Sequence, residues 1–167
     1  MNFGPYGAGW RYLALTTGVA PPAGWYLNSY DDSAWSVGQG GFGSVTGLGG
    51  VRIRNTTWNG VEGGGAGTEL YLRLTLPSLG DLLSPAVNLN LDDVGEIYVG
   101  GSLWYTRAVW TTGVYEALPD PIPDSLRSAT PTILAAHVVD TGDGAAYFDL
   151  SLVQPAGAVS LWTVGEV

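Results

Sequence analysis

Apolar residues recur at every second position through much of this chain. In residues 69–76, Leu70, Leu72, Leu74 and Leu76 fall on one parity, while Tyr71, Arg73 and Thr75 fall on the other. Successive side chains of a strand point to opposite faces, so this period of two predicts a strand buried on one face. Residues 86–91 repeat the pattern, with Val87, Leu89 and Leu91 inward and Asn88 and Asn90 outward. Residues 146–152 repeat it through Phe148, Leu150 and Leu152. Further strands are predicted at 10–15, 51–54, 96–99, 103–106, 132–140 and 158–164. Strands this numerous and this evenly spaced point to a sandwich or barrel.

Dense turn chemistry separates these runs: Pro21-Pro22, Gly40-Gly41, Gly49-Gly50, Gly100-Gly101 and Asp120-Pro121-Ile122-Pro123. Glycine supplies positive φ and proline removes a ladder donor, so each marks a turn by mechanism. Helix is confined to one short candidate at 123–127, where Pro123 suits a first turn. The longest loop is expected at 55–68. The predicted fold class is all-β, an antiparallel β-sandwich of the jelly-roll kind. One domain is expected, with an N-terminal arm at 1–9, a sandwich core at 10–153 and a C-terminal strand or arm at 154–167.

Composition sharpens this picture. The 167 residues are 46% apolar, enough to bury a core without staples, and contain no cysteine, which removes disulfides and thiolate chemistry. A single histidine, His137, excludes a multi-histidine metal centre. Fifteen acids against six arginines give a formal charge of −9, so no nucleic-acid partner is expected. Charged residues make up only 13% of the chain, low for a solvated surface, and predict that something covers part of it. The first ten residues carry no basic or apolar leader region, and no run is long enough for membrane insertion.

Three segments taken in order resemble the galactose-binding-like jelly roll, a non-catalytic sandwich found beside glycoside hydrolases. The first is Trp10-Arg11-Tyr12 with Gly24-Trp25, Tyr30-Asp31-Asp32-Ser33-Ala34-Trp35 and Gly41-Phe42-Gly43. The second is the 69–76 strand with the Asp92-Asp93 pair and Gly100-Gly101 behind it. The third is Ile122-Pro123-Asp124-Ser125-Leu126 followed by the runs at 132–139 and 147–152. Gly100-Gly101 stands where that family usually has Asn-Gly, and Val94 separates Asp93 from its glycine. The resemblance spans residues 10–153 and implies the fold. Members of that family either bind sugars or pack against neighbours, so function stays open.

Candidate chemistry is sparse. Asp31 and Asp32 could ligate calcium, but such side chains more often cap turns, and Trp35 would plug the sandwich. Asp92 and Asp93 read as a hairpin element. Asp140 and Asp143 have an ion-loop look without the bidentate glutamate, and read as a tight turn between strands. The letters Gly38-Gln39-Gly40-Gly41-Phe42-Gly43 match a dinucleotide fingerprint, but residues 45–50 after it are too glycine-rich for the helix such a site needs. His137 reads as a hydrogen-bonded packing residue, so no catalytic residue is assigned and no enzyme is expected. The aromatic positions Trp58, Trp104, Tyr105 and Trp110, with Asn59 and Arg107, suit a sugar face, a protein interface or simple core packing.

A sugar-module sandwich without an export signal needs another route out of a cell, and a virion supplies one by lysis. The expectation is a non-catalytic bacteriophage virion protein, a minor tail or capsid-decoration component made in the host cytoplasm. Its partners would be other virion proteins, copies of itself and host-surface glycans. A stand-alone lectin-like module and an accessory module of a glycoside hydrolase are the alternatives.

Overall fold

The computed structural model describes residues 2–3, 9–43, 53–58, 68–76, 85–109, 115–127, 131–141 and 146–153. The first six strands are β1 (Asn2–Phe3), β2 (Gly9–Thr16), β3 (Ser36–Gln39), β4 (Phe42–Gly43), β5 (Thr56–Thr57) and β6 (Thr68–Leu76). They continue with β7 (Ala86–Asp92), β8 (Val94–Val99), β9 (Ser102–Arg107), β10 (Glu116–Ala117), β11 (Thr132–Val139) and β12 (Tyr147–Val153). The short helical candidate is a single 3-10 turn, Asp124–Leu126.

The strands form two sheets. Sheet I has the order β10-β7-β12-β4-β5, with β1 also paired to β12; sheet II has the order β3-β2-β6-β11-β8-β9. Every ladder is antiparallel except the short β4–β5 pair. The facing parities of β6, β7 and β12 are the predicted ones: Leu70, Leu72 and Leu74 of β6, together with Leu134 and Val138 of β11, pack toward Leu89, Leu91, Phe148 and Leu150 of sheet I. Each such side chain contributes about 1.5–3 kcal/mol by leaving water, which makes this interior the main source of stability. The fold is an all-β sandwich.

Several expectations change. Strand β6 is buried on both faces, not one: Tyr71 and Arg73, on the parity read as outward, are 2% and 1% exposed. The cause is a cap formed by residues 17–35, whose Trp25 and Trp35 make a second apolar cluster with Tyr71, Ile133 and Ala135 on the outer face of sheet II. Register places Tyr98, Ala135 and Arg73 side by side across β8, β11 and β6. The small Ala135 leaves room there for the Trp25 ring, which meets Tyr71 and Tyr98 edge-on at 5.0 and 5.5 Å.

The Asp92-Asp93 pair is not a hairpin element. It sits at the corner where the chain leaves β7 of sheet I for β8 of sheet II, and the Asp93 carboxylate braces that corner by accepting bonds from the Thr141 amide and hydroxyl. The true hairpin joins β8 to β9 through Gly100 and Gly101, both at positive φ, as a two-residue turn of matching twist requires. Asp140 follows β11 of sheet II, on the way to β12 of sheet I, and residues 142–145 of the turn expected there lie outside the described residues.

Of the strand predicted at 51–54, Ile53 and Arg54 are not in a strand and the nearby ladder is β5, while residues 51 and 52 lie outside the described residues. At the N-terminus, Asn2 and Phe3 pair with Val153 and Leu152, so this arm completes the chain's own sheet. The strand predicted at 158–164 lies outside the described residues, as does most of the loop expected at 55–68. Among the described residues no helix is long and apolar enough to cross a membrane.

Candidate functional site

The aromatic positions picked out as a binding face are placed largely by packing. Trp58 is 5% exposed and belongs to the main core, because β5 pairs with β4 beside Phe42 and the Trp58 amide bonds the Gly43 carbonyl at 2.9 Å. The Trp58 ring is therefore buried, contrary to what its glycine-rich surroundings imply. Strand β9 carries a bulge: Tyr105 opposes Ile97 and Leu103 opposes Tyr98, leaving Trp104 as the extra residue. Both Trp104 and Tyr105 consequently lean, half-buried, on the core, while Leu103 faces solvent. Arg107 is buried and stitches the two sheets, donating to the Leu91 carbonyl of β7 at 3.0 Å and pairing with Glu116 of β10. Asn59 and Trp110 lie outside the described residues.

The candidate calcium ligands also have structural partners. Asp32 accepts the Arg73 Nε at 2.7 Å, and Asp31 accepts the Ser33 amide at 2.9 Å in a local turn. That bond, first, holds the Asp31 carboxyl below its ordinary value. Asp140 is buried at the end of β11, and Asp143 lies outside the described residues. Among the described residues no group of three or more His, Asp or Glu side chains is arranged to hold a metal ion.

Two polar arrays emerge instead, one on each outer face. On sheet II, His137 stacks flat on Tyr71, with ring centroids 4.5 Å apart. Its Nε2 meets Glu69 Oε2 at 2.8 Å, and the same oxygen accepts the Tyr71 hydroxyl at 2.5 Å. On the other side Tyr98 donates to Glu96 Oε2 at 2.6 Å, and that oxygen lies 3.9 Å from His137 Nδ1. Burial by itself would raise the Glu69 carboxyl, but bonds from Tyr71, His137 and the Gly18 amide outweigh it and hold the group below its usual value. The Tyr71 and Tyr98 hydroxyls are pushed upward, first by burial and then by their glutamate acceptors. This array anchors the start of the cap: the Gly18 amide reaches Glu69 at 3.3 Å.

On sheet I the array is more deeply buried. Asn90 of β7 and Asp149 of β12 are register partners, so their side chains share the outer face about 5 Å apart at Cβ. Glu116 pairs with Leu89, which sets Tyr115 beside Asn90 on the side away from Asp149. The Tyr115 hydroxyl nevertheless donates to Asp149 Oδ2, so its ring passes over Asn90. Tyr147, in the neighbouring row, approaches the Tyr115 hydroxyl at 3.5 Å and donates to the Ile53 carbonyl at 3.0 Å. Asn90 is 0% and Asp149 2% exposed. Gly41 closes the row at φ +88°, where an added Cβ would stand 2.3 Å from the Ile53 carbonyl. Only glycine fits that position.

Burial drives the Asp149 carboxyl above its ordinary value, and the Tyr115 hydroxyl with the nearby Leu150 and Gly41 amides offsets this only in part. A carboxyl whose folded pKa exceeds the unfolded value of about 3.9 contributes stability below that value and loses it as pH rises through the folded pKa. The Asp149→Asn variant should therefore gain on the parent as pH is raised from 4 to 7. Urea unfolding at a series of pH values measures this. A gap that widens against the variant at neutral pH would contradict it.

Comparison of the chain with protein-family models and with curated proteins returns no match in either case. The residues of both arrays stand in alternating strands, where sequence reading treats the non-core parity as solvated. Asparagine twice within one strand, at 88 and 90, was the available signal, since strands are poor in asparagine.

Proposed function

We propose that this protein is a non-catalytic structural component of a bacteriophage virion, a minor tail or capsid-decoration protein built on a galactose-binding-like jelly roll. In this reading it assembles with copies of itself and with other virion proteins, and adheres to host-surface glycans. The observation that carries the proposal is the nature of the two edges of sheet II. At one edge Val37 of β3 is 61% exposed; at the other Leu103 of β9 is 52% exposed, with Val109 just beyond it at 71%. Soluble monomers blunt such edges with outward charges, proline or bulges; β9 has its bulge at Trp104, but neither β3 nor β9 carries proline or an outward charge. The charge on Arg107 is turned inward.

These two edges differ in sequence, so a contact between them joins unlike surfaces and repeats around a ring or along a stack, as virion components do. A surface low in charged residues fits an assembled state.

Size-exclusion chromatography with light scattering tests this reading. The parent is expected to run as a closed oligomer. Val37→Lys and Leu103→Lys should return it to monomers while moving stability by no more than about 0.5 kcal/mol, as exposed positions do. A monomeric parent at high concentration would refute assembly through these edges and favour a stand-alone lectin-like module.

A further inference from the structure

The buried row on sheet I has hydrogen-bonding capacity that the described residues do not use. Among them, both polar atoms of the Asn90 side chain and Oδ1 of Asp149 have no partner within hydrogen-bond geometry, although each is out of contact with solvent. An unsatisfied buried donor or acceptor costs about 1–3 kcal/mol, and packing rarely leaves three in adjacent side chains. The count holds whichever way round the Asn90 amide is placed, because its oxygen and its nitrogen are both unused.

The character of these atoms selects the partner. The set has one donor, the Asn90 nitrogen, and two acceptors, the Asn90 oxygen and Asp149 Oδ1. A metal cation would satisfy the acceptors and leave the donor stranded. An anion would satisfy the donor and be repelled by Asp149, with Asp92 in the next row of the same face. A hydroxyl group both donates and accepts, so it completes the set, as neither a cation nor an anion does. The surroundings agree: two further hydroxyls, of Tyr115 and Tyr147, converge on the same point, and the Tyr115 ring offers an apolar face to C–H bonds.

We propose that Asn90, Asp149, Tyr115 and Tyr147 form a binding site on the outer face of sheet I for a neutral polyhydroxylated ligand, a terminal sugar residue, with Tyr115 as the gate. This rests on the glycan-adhesion part of the function proposed above. Tyr115 is half-buried at the surface, and its ring is tethered over Asn90 through its bond to Asp149. Swinging that ring outward breaks this tether and uncovers the Asn90 amide and both Asp149 oxygens together. Sugar hydroxyls then replace the Tyr115 hydroxyl on Asp149 and meet the unused atoms of Asn90. The tether also makes the site selective, since a ligand must offer enough hydroxyls to outweigh it.

Water carries the same chemistry as a sugar hydroxyl, and the experiment separates the two. D-galactose, L-rhamnose, D-glucose and N-acetyl-D-glucosamine are titrated singly into the full chain while the Asn90 side-chain amide is followed by NMR. The expected result is a saturable shift of that amide in the parent with at least one sugar, and an affinity for that sugar, read in both proteins from the backbone amides of β7 and β12, weakened at least about tenfold in Asn90→Leu. Asn90→Ala, which leaves the backbone ladder intact, carries the same comparison should the leucine variant not fold. Tyr115→Phe keeps the ring and removes the tether, and should bind the same sugar more tightly. An Asn90 amide that exchanges magnetisation with bound water and shifts with none of the sugars overturns the proposal, as does sugar binding that Asn90→Leu leaves unchanged. Light scattering on the same samples reports assembly separately, so loss of the sugar site and loss of the virion reading are told apart.

Discussion

Replacing Arg73 with methionine is expected to cost about 3–5 kcal/mol and to release the 17–35 cap from sheet II, because it leaves three backbone carbonyls and the partly exposed Asp32 carboxylate without their donor. Arg73 is 1% exposed in the middle of β6, where its Nε pairs with Asp32. Its terminal nitrogens donate to the carbonyls of Trp25, Leu27 and Tyr30, and its guanidinium lies 5.3 Å from the centre of the Tyr30 ring. One side chain thus holds three turns of a segment that has no strand or helix of its own.

Methionine fills the volume and supplies none of these bonds. Urea unfolding should show the loss, tryptophan emission should shift to the red as Trp25 and Trp35 meet water, and proteases should cut within 17–35. Arg73→Lys should recover little, since one ammonium cannot reach the carboxylate and three carbonyls together. If the variant kept the parent's midpoint and emission, aromatic packing and the Asn28 bonds to Pro131 and Ile133 would be the groups that hold the cap.

Trp10→Ala should carry a similar cost, ~3–5 kcal/mol, by the different route of cavity formation. Trp10 is fully buried on β2 and meets Phe148 of the opposite sheet edge-on at 5.9 Å. It is therefore one of the side chains that set the spacing of the two layers. Its indole nitrogen has no hydrogen-bond partner among the described residues. Trp10→Phe also loses volume but removes that unsatisfied donor, worth about 1–3 kcal/mol, so its cost should be well below that of alanine. Denaturant midpoints of the two variants give the comparison. Equal losses would mean that the indole nitrogen is hydrogen-bonded in solution and that the loss of this bond, which both variants share, outweighs the difference in volume.

Much of the sandwich was legible because strand periodicity is a local property. The leucines of β6, the Val-Leu-Leu parity of β7 and the Phe-Leu-Leu parity of β12 each announce an inner face without reference to any neighbour. The same locality explains the errors. Nothing near Tyr71 or Arg73 in the chain says that residues 17–35 will fold over them, and nothing near Trp58 says that β5 will draw its ring into the core. The bulge that turns Trp104 inward depends on how β9 registers against β8. Asp92 and Asp93 look the same in a hairpin as at a corner between sheets.

The candidate site was less legible still. Tyr115, Asn90 and Asp149 come from three separate strand regions, and their meeting is a matter of register in sheet I.

Residue order alone was enough for the secondary structure class, the parity of the core strands, the positions of the chief turns and the exclusion of thiol and multi-histidine chemistry. Each depends on side-chain type and short-range spacing. Which outward-facing residues are in fact covered, which charges are spent as internal stitches and which polar atoms lack partners emerged only from the assembled sheets. Those outcomes depend on pairing between segments far apart in the chain, which no local pattern encodes.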